Sequence, residues 1–312
     1  MEHGDVTEIQ RSGESSMPST GPRGAVAFEA HAPRGRRTLG PVADLESHVP
    51  AEWWKHLFNR TYLLTDGDVV ENDANTRADV ELLMRAARLD AGHAILDLCC
   101  GQGRHSLALA ARGFGRVTGL DASAFLLRLA RRRARAQRAG VRFRLGDARQ
   151  LPFAEGSFDC VAVLGNSFGY FEAADDDRAV IAEIARVLRP GGAIALDLCD
   201  GEWTSRNFQP RSWEWIDERS FVCRERALSK DGTRMISREV VTRTTRGVTV
   251  DQFYAERLYS RADIGALLGG AGFVDVTHHG ELVSESDRNQ DLGLMARRLF
   301  VSARRPAGGG PR

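Results

Sequence analysis

Three short stretches carry residue types at spacings that can hold a nucleotide-like ligand. The first is Asp97-Leu98-Cys99-Cys100-Gly101-Gln102-Gly103-Arg104-His105-Ser106, an apolar strand that runs into a glycine turn and opens a helix. Glycine suits that turn because a ligand must approach the backbone where a Cβ would collide, at the carboxyl end of a strand in an open α/β sheet. The second is Gly119-Leu120-Asp121-Ala122, whose carboxylate stands 18 residues after Gly103 and can accept hydrogen bonds from both hydroxyls of a ribose. The third is Gly146-Asp147-Ala148, followed by Leu151-Pro152-Phe153. There a carboxylate can receive the exocyclic amine of adenine while apolar neighbours sandwich the ring.

These stretches need strands to end where they begin, and the chain supplies them. Thr76 to Leu89 has Val80, Leu83, Met84 and Ala87 at helical spacing, and Ile95-Leu96-Asp97-Leu98 reads as a buried strand. The pattern predicts helix 104–112, strand 116–120, helix 122–138, strands 141–145 and 158–164, helix 174–188 and strand 192–198. Strands alternating with helices of this length imply a parallel sheet with helices on both faces. Between Glu214 and Tyr259, apolar and charged residues alternate and Lys230-Asp231-Gly232 supplies a hairpin signal, which predicts an antiparallel insertion with one wet face. A capped helix over Ser260–Gly272 and strands 273–277 and 298–303 would finish the main sheet.

Outside this frame, residues 1–45 are rich in Gly, Ser, Pro and Arg, a composition that rarely encloses a core, and they read as a disordered arm before a domain over 46–312. Trp53, Trp54, Leu57, Phe58, Tyr62 and Leu63 form an apolar cluster, so 52–75 reads as a lid. The chain has 312 residues and a formal net charge of +1, which gives no overall field for a polyanionic partner. The arginine-rich run Arg128–Arg138 has apolar residues interleaved and reads as the outer face of a sheet-packing helix. The five cysteines are odd in number and two are adjacent, which suits neither a disulfide framework nor a zinc site and fits a reducing cytoplasm. No apolar run reaches the roughly 20 residues a membrane span needs, the N-terminus lacks the apolar core of a signal peptide, and no His/Asp/Glu cluster has metal-ligand spacing.

Taken with the strand order, these motifs resemble the class I S-adenosylmethionine-dependent methyltransferases, most of all the small-molecule enzymes of the type 11/25 group. Asp97 to Gly103 matches the first family motif, Asp121 the second and Asp147 the third; Leu188-Arg-Pro-Gly-Gly192, which resembles the family's turn before strand five, and Ala271-Gly272-Phe273 before the late strand extend the match. The resemblance implies a Rossmann-like seven-stranded sheet with one reversed strand near its edge, and the antiparallel insertion, residues 201–259, after strand five. It also implies S-adenosylmethionine across Asp97, Cys99, Gly101, Gly103, Asp121, Ala122, Asp147 and Ala148, with Leu164, Gly165 and Asn166 beside the transferring methyl. A nicotinamide dinucleotide is the competing occupant of the glycine turn. The carboxylate of Asp97, four residues before Gly101, favours a cationic sulfonium over an anionic pyrophosphate.

Methyl transfer from a sulfonium is an in-line displacement that needs alignment and dryness more than a dedicated acid or base. His105 and Tyr170 are the catalytic candidates, although a histidine in the first turn of this helix also suits a packing role. Tyr62, Tyr254 and Phe168 are candidates to orient the acceptor, and Trp54, Trp213 and Trp215 to wall it. The Asn/Asp-Pro-Pro-aromatic motif of enzymes that methylate adenine or glutamine is absent at Gly165–Phe171, which argues against a nucleic-acid base as acceptor. The expected activity is methylation of an oxygen or nitrogen of a small molecule, a secondary metabolite among the options. A macromolecular methyltransferase and a non-catalytic protein that keeps the cofactor site are the alternatives. In this family the region of 201–259 often builds substrate caps and dimer contacts, so a homodimer is also an expectation.

Overall fold

The structure, a computed structural model, describes residues 39–286, 288 and 291–308. Three short helices, α1 (Trp54–Leu57), α2 (Arg60–Thr65) and α3 (Gly67–Val70), lead into α4 (Asp73–Ala87), whose N-cap Asn72 accepts from Ala74 N and Asn75 N. The alternating region follows as β1 (Ala94–Leu98), α5 (Arg104–Ala111), β2 (Arg116–Asp121), α6 (Ala124–Ala136), β3 (Arg142–Leu145), β4 (Phe158–Val163), α7 (Ala174–Val187) and β5 (Leu188–Cys199). After the insertion come α9 (Arg261–Gly270), β10 (Val274–Leu282) and β11 (Arg298–Arg304).

The main sheet has seven strands in the order β10-β11-β5-β4-β1-β2-β3. Only β11 runs against its neighbours, pairing antiparallel with both β10 and β5. This is the Rossmann-like sheet with one reversed strand that the sequence motifs imply. Its central strands are apolar on both faces because helices cover both. On one face Leu96, Val161 and Leu196 meet Ile181 and Ile184 of α7 and Ile264 and Leu268 of α9; on the other Ile95, Cys160 and Ala195 meet Val80 and Leu83 of α4 and Leu109 of α5. The α9 helix begins with a capping box in which the Ser260 side chain accepts from Asp263 N while Asp263 accepts from the Ser260 backbone. Ser260→Ala should lower the unfolding free energy by about 1 kcal/mol in urea titration, and an unchanged midpoint would count against that cap.

Strand five starts earlier than expected. Leu188 already pairs with Phe158, and the Pro190-Gly191-Gly192 segment is a bulge inside β5 rather than a turn before it. Glycine is needed there, since a Cβ on Gly192 would stand 2.8 Å from the carbonyl oxygen of Arg189.

The insertion contributes α8 (Gly201–Asn207) and a separate antiparallel sheet, β6 (Arg211–Asp217), β7 (Ser220–Leu228), β8 (Arg234–Arg243) and β9 (Gly247–Arg257), in that order. Register puts Arg224, Glu239 and Gln252 in one row across β7, β8 and β9, and Arg226, Ser237 and Tyr254 in the next, all on one face. The opposite face carries Ile236, Phe253 and Ala255, which pack against Leu45, with Val42 and Val49 alongside. Most of the expected arm, residues 1–38, lies outside the described residues, but 39–45 do not form an arm. Arg238 donates to Gly40 O at 2.7 Å, and the apolar Val42 and Leu45 cover a sheet face that water would otherwise wet. Among the described residues no helix is long and apolar enough to cross a membrane.

Candidate functional site

At the carboxyl ends of β1, β2 and β3 the chain opens a cleft with about 820 Å³ of space free of protein atoms, part of it open to solvent. Its floor is the glycine turn after β1 and the two loops that follow β2 and β3. Cys99 and Gly101 both adopt left-handed backbone there (φ 60° and 53°). The turn is held by Asp121, which accepts from Gly101 N with one carboxylate oxygen and from Ser123 N with the other, both at 2.7 Å. Burial pushes the Asp121 carboxyl above the ordinary carboxylate range, against the pull of these amides. Each of its oxygens keeps a lone pair for a hydroxyl donor.

Across the cleft, Asp147 is gripped by Arg149, whose guanidinium also bonds Asp176 at 3.2 Å and lies over the rings of Phe171 and Trp54, 4.4 and 5.5 Å from their centroids. Between the two carboxylates the lining is apolar, with Leu98, Leu120, Ala122, Leu126, Ala148 and Val163. A flat apolar body with a hydroxylated end and an amine-bearing end fits that distribution.

A second chamber, with about 870 Å³ of space free of protein atoms, part of it likewise open to solvent, adjoins the first, and Phe58, Tyr62 and Tyr170 line both. One of its walls is the polar face of the small sheet. Arg224 donates to Glu239 at 3.2 Å and to Glu214 at 2.8 Å; Gln252 donates to the other Glu239 oxygen at 2.9 Å; Arg226 is paired with Asp291. Burial is the main cause that pushes Glu239 up to about 7. The 165–170 loop stands between the chambers. Tyr170 donates to Asn166 O at 2.6 Å, while the Asn166 side chain accepts from Cys199 N at 2.8 Å and donates toward Glu256 at 3.4 Å.

Residues 95–192, from β1 through the glycine bulge of β5, match the family model described as a methyltransferase domain. Over 103 residues the chain is 42% identical to the demethylmenaquinone methyltransferase of Thermus thermophilus, a stretch that is 33% of this chain and 45% of that enzyme. The chain thus spans less than half of that curated relative. Among solved structures, a S-adenosylmethionine-dependent methyltransferase from Clostridium acetobutylicum superposes with a TM-score of 0.63 at 18% identity, over 80% of this chain and 98% of the other, a likeness of fold. CalS10, an amino pentose methyltransferase from Micromonospora echinaspora solved with S-adenosylmethionine bound, superposes with a TM-score of 0.52 at 28% identity, over 73% of this chain and 89% of that one.

Within the matched residues, the motif positions divide between those that face the cleft and those that hold its frame. Cys99, Gly101, Asp121, Ala122, Asp147 and Ala148 line it. Asp97 does not. Its carboxylate is buried behind the turn, where Ser106 Oγ donates to it at 2.6 Å, and burial pushes it up to about 6. Gly103 caps α5 in left-handed backbone (φ 81°), and a Cβ there would stand 2.8 Å from the Phe143 ring, so its smallness serves packing. Leu164 is buried outside both chambers, whereas Gly165 and Asn166 line the second.

His105 also faces away. Its Nε2 lies 3.0 Å from Asp79, and burial, with Arg104 beside it, holds the imidazole down to about 4. The Asp79 carboxylate stays ionised despite its burial because His105, Arg298 and Arg104 all attend it. An ionised carboxylate can only accept, so the neutral ring carries its proton on Nε2. The same Asp79 takes Arg104 at 3.0 Å and Arg298 at 3.1 Å, and Arg298 is also paired with Asp197, which receives Gly165 N at 2.8 Å. His105 therefore belongs to a buried network that joins α4 and α5 to the ends of β4 and β5.

Of the acceptor candidates, Tyr62 lines both chambers, Tyr254 lines the second, and Trp54 and Phe168 line the first. Trp213 and Trp215 wall neither. They alternate outward on β6, 66% and 50% exposed, because Ser212 and Glu214 take the inward positions of that strand. Sequence reasoning missed Glu214, Arg224, Arg226, Glu239 and Glu256. Their period-two spacing was visible as a wet face, but that face turns out to line a chamber.

Proposed function

We propose that this chain is an S-adenosylmethionine-dependent methyltransferase that moves a methyl group to an oxygen or nitrogen of a small polar acceptor. The observation that carries the reading is a pair of chambers sharing Phe58, Tyr62 and Tyr170, one with the family's cofactor motifs and one walled by a polar sheet. When bound, S-adenosylmethionine supplies an electrophilic methyl on a positively charged sulfur. Asp121 would take the ribose hydroxyls, Asp147 the adenine amine, and Leu120, Ala122 and Ala148 the ring faces. Phe58, Tyr62 and Tyr170 would exclude water from the junction and orient the acceptor toward it. Both arginines of the second chamber are neutralised by carboxylates, so among the described residues no free cation lines it for a polyanionic backbone, which supports a small acceptor over a nucleic acid.

Calorimetric titration with S-adenosylhomocysteine, with NAD in parallel, tests the cofactor half of the reading. We expect binding of about micromolar strength for the first and none for the second. Binding of NAD alone, or of neither, removes the proposal.

A further inference from the structure

We propose that the second chamber binds its acceptor through a basic amine, with Glu256 as both the counter-ion of that amine and the acceptor of its proton. The inference rests on the methyltransferase reading for the transfer step, though not for the binding. Glu256 projects from β9 onto the chamber and is only 8% exposed. Among the described residues it forms no ion pair, and its hydrogen-bond partner is the Asn166 amide at a long 3.4 Å. The other carboxylates on this face of the sheet, Glu239 and Glu214, share Arg224. A buried carboxyl without one either holds a proton or waits for a positive charge to enter.

The surroundings favour a cationic group over an anionic one. Asp66, between α2 and α3, faces the same space, with Glu239 and Asp291 further along it. The two arginines, Arg224 and Arg226, are already bound to Glu239, Glu214 and Asp291. Tyr62, Tyr170 and Tyr254, all neutral phenols, and the Cys199 thiol, which burial keeps protonated, complete the titratable groups that face Glu256. Burial first, and then the charge of Asp66, push the Glu256 carboxyl up to about 8, with Arg226 opposing. That brings the carboxyl level with an α-amino group, at about 8, and to within about two to three units of an aliphatic amine, at about 10.4.

Location gives the residue its chemistry. Through Asn166, Glu256 touches the loop that separates the chambers, so an amine held on it stands at the junction where the methyl must cross. The acceptor enters as an ammonium paired with the Glu256 carboxylate. One N–H proton passes to a carboxylate oxygen, which leaves a neutral amine with a free electron pair and a neutral carboxylic acid. That pair forms the N–C bond to the methyl of the sulfonium donor as the C–S bond breaks, and the bonding electrons of C–S remain on sulfur as a neutral thioether. The nitrogen becomes the methylated ammonium, which leaves with its own protons, and Glu256 returns its proton to solvent.

The test uses matched probes on the full chain: glucosamine against glucose, and cyclohexylamine against cyclohexanol, titrated at pH 7.5 by saturation-transfer NMR. At least one amine should bind tenfold or more tightly than its hydroxyl counterpart, and Glu256→Gln should erase the preference while leaving S-adenosylhomocysteine affinity within twofold. The unchanged cofactor affinity guards against a merely misfolded variant. Equal binding within both pairs, or a preference that survives in Glu256→Gln, overturns the proposal. An amine preference without S-adenosylhomocysteine binding would instead remove the methyltransferase reading and leave the amine site standing, so the two failures are distinguishable.

Discussion

In chemical denaturation at pH 8, Arg298→Met should unfold with about 3–5 kcal/mol less free energy than the unaltered protein. Arg298 is the shared cation of a buried network: its guanidinium serves Asp79 from one nitrogen and Asp197 from another, and it is only 2% exposed. A planar fork can bond two carboxylates at once, which a thioether cannot. Methionine would leave Asp197 ionised and buried with the Gly165 amide as its remaining partner. The sign with pH follows from the carboxyl. Burial already raises Asp197 above its ordinary range, and loss of Arg298 raises it further. A group whose folded pKa lies above its unfolded value destabilises as pH rises from the unfolded value, roughly 4, through the folded one. The deficit of Arg298→Met should therefore shrink as pH is lowered from 8 toward 4. A variant as stable as the parent at pH 8, or a deficit that widens on acidification, would contradict this account of the network.

Asp121→Ala should weaken S-adenosylhomocysteine binding by about 1–3 kcal/mol, or roughly 5- to 150-fold in dissociation constant. Two losses combine. The ribose would lose a charged acceptor, and the amides of Gly101 and Ser123, which Asp121 now receives at 2.7 Å, would lose the contact that shapes the glycine turn. Asp121→Asn keeps one oxygen acceptor and should fall between the two. Calorimetry on all three proteins decides it, and equal affinities would take Asp121 out of the cofactor site.

The frame of the site was legible from the chain because its signals are local. A strand apolar on both faces, a glycine turn and a helix of period 3.6 each follow from neighbouring residues, and β1, β2, β4 and the helices between them fall within a few residues of where periodicity puts them. The bulge in β5 was missed because Pro-Gly-Gly reads as a turn unless the partner strand is known, and here Phe158 reaches Leu188 beyond it. Chemistry assigned by residue type alone fared differently at four positions, His105, Asp97, Trp213 and Trp215. His105 and Asp97 carry groups that look active, yet His105 is held by Asp79 and Asp97 by Ser106, away from the cleft. Trp213 and Trp215 look like pocket walls and stand largely in solvent.

What the sequence by itself determined was the parallel sheet, its order of elements, and the cofactor motifs at the strand ends, since each depends on contacts or backbone demands a few residues apart. Only the tertiary structure decided which face of the β6–β9 sheet is wet. Alternation along a strand fixes that two faces differ, but not what covers either. Here Val42 and Leu45, some 190 residues upstream of Ile236, cover the apolar face, while the polar face closes a chamber against α2 and the loop after β4. Glu256 acquires its unusual environment from that closure, because the loss of water around a carboxyl comes from elements distant in the chain.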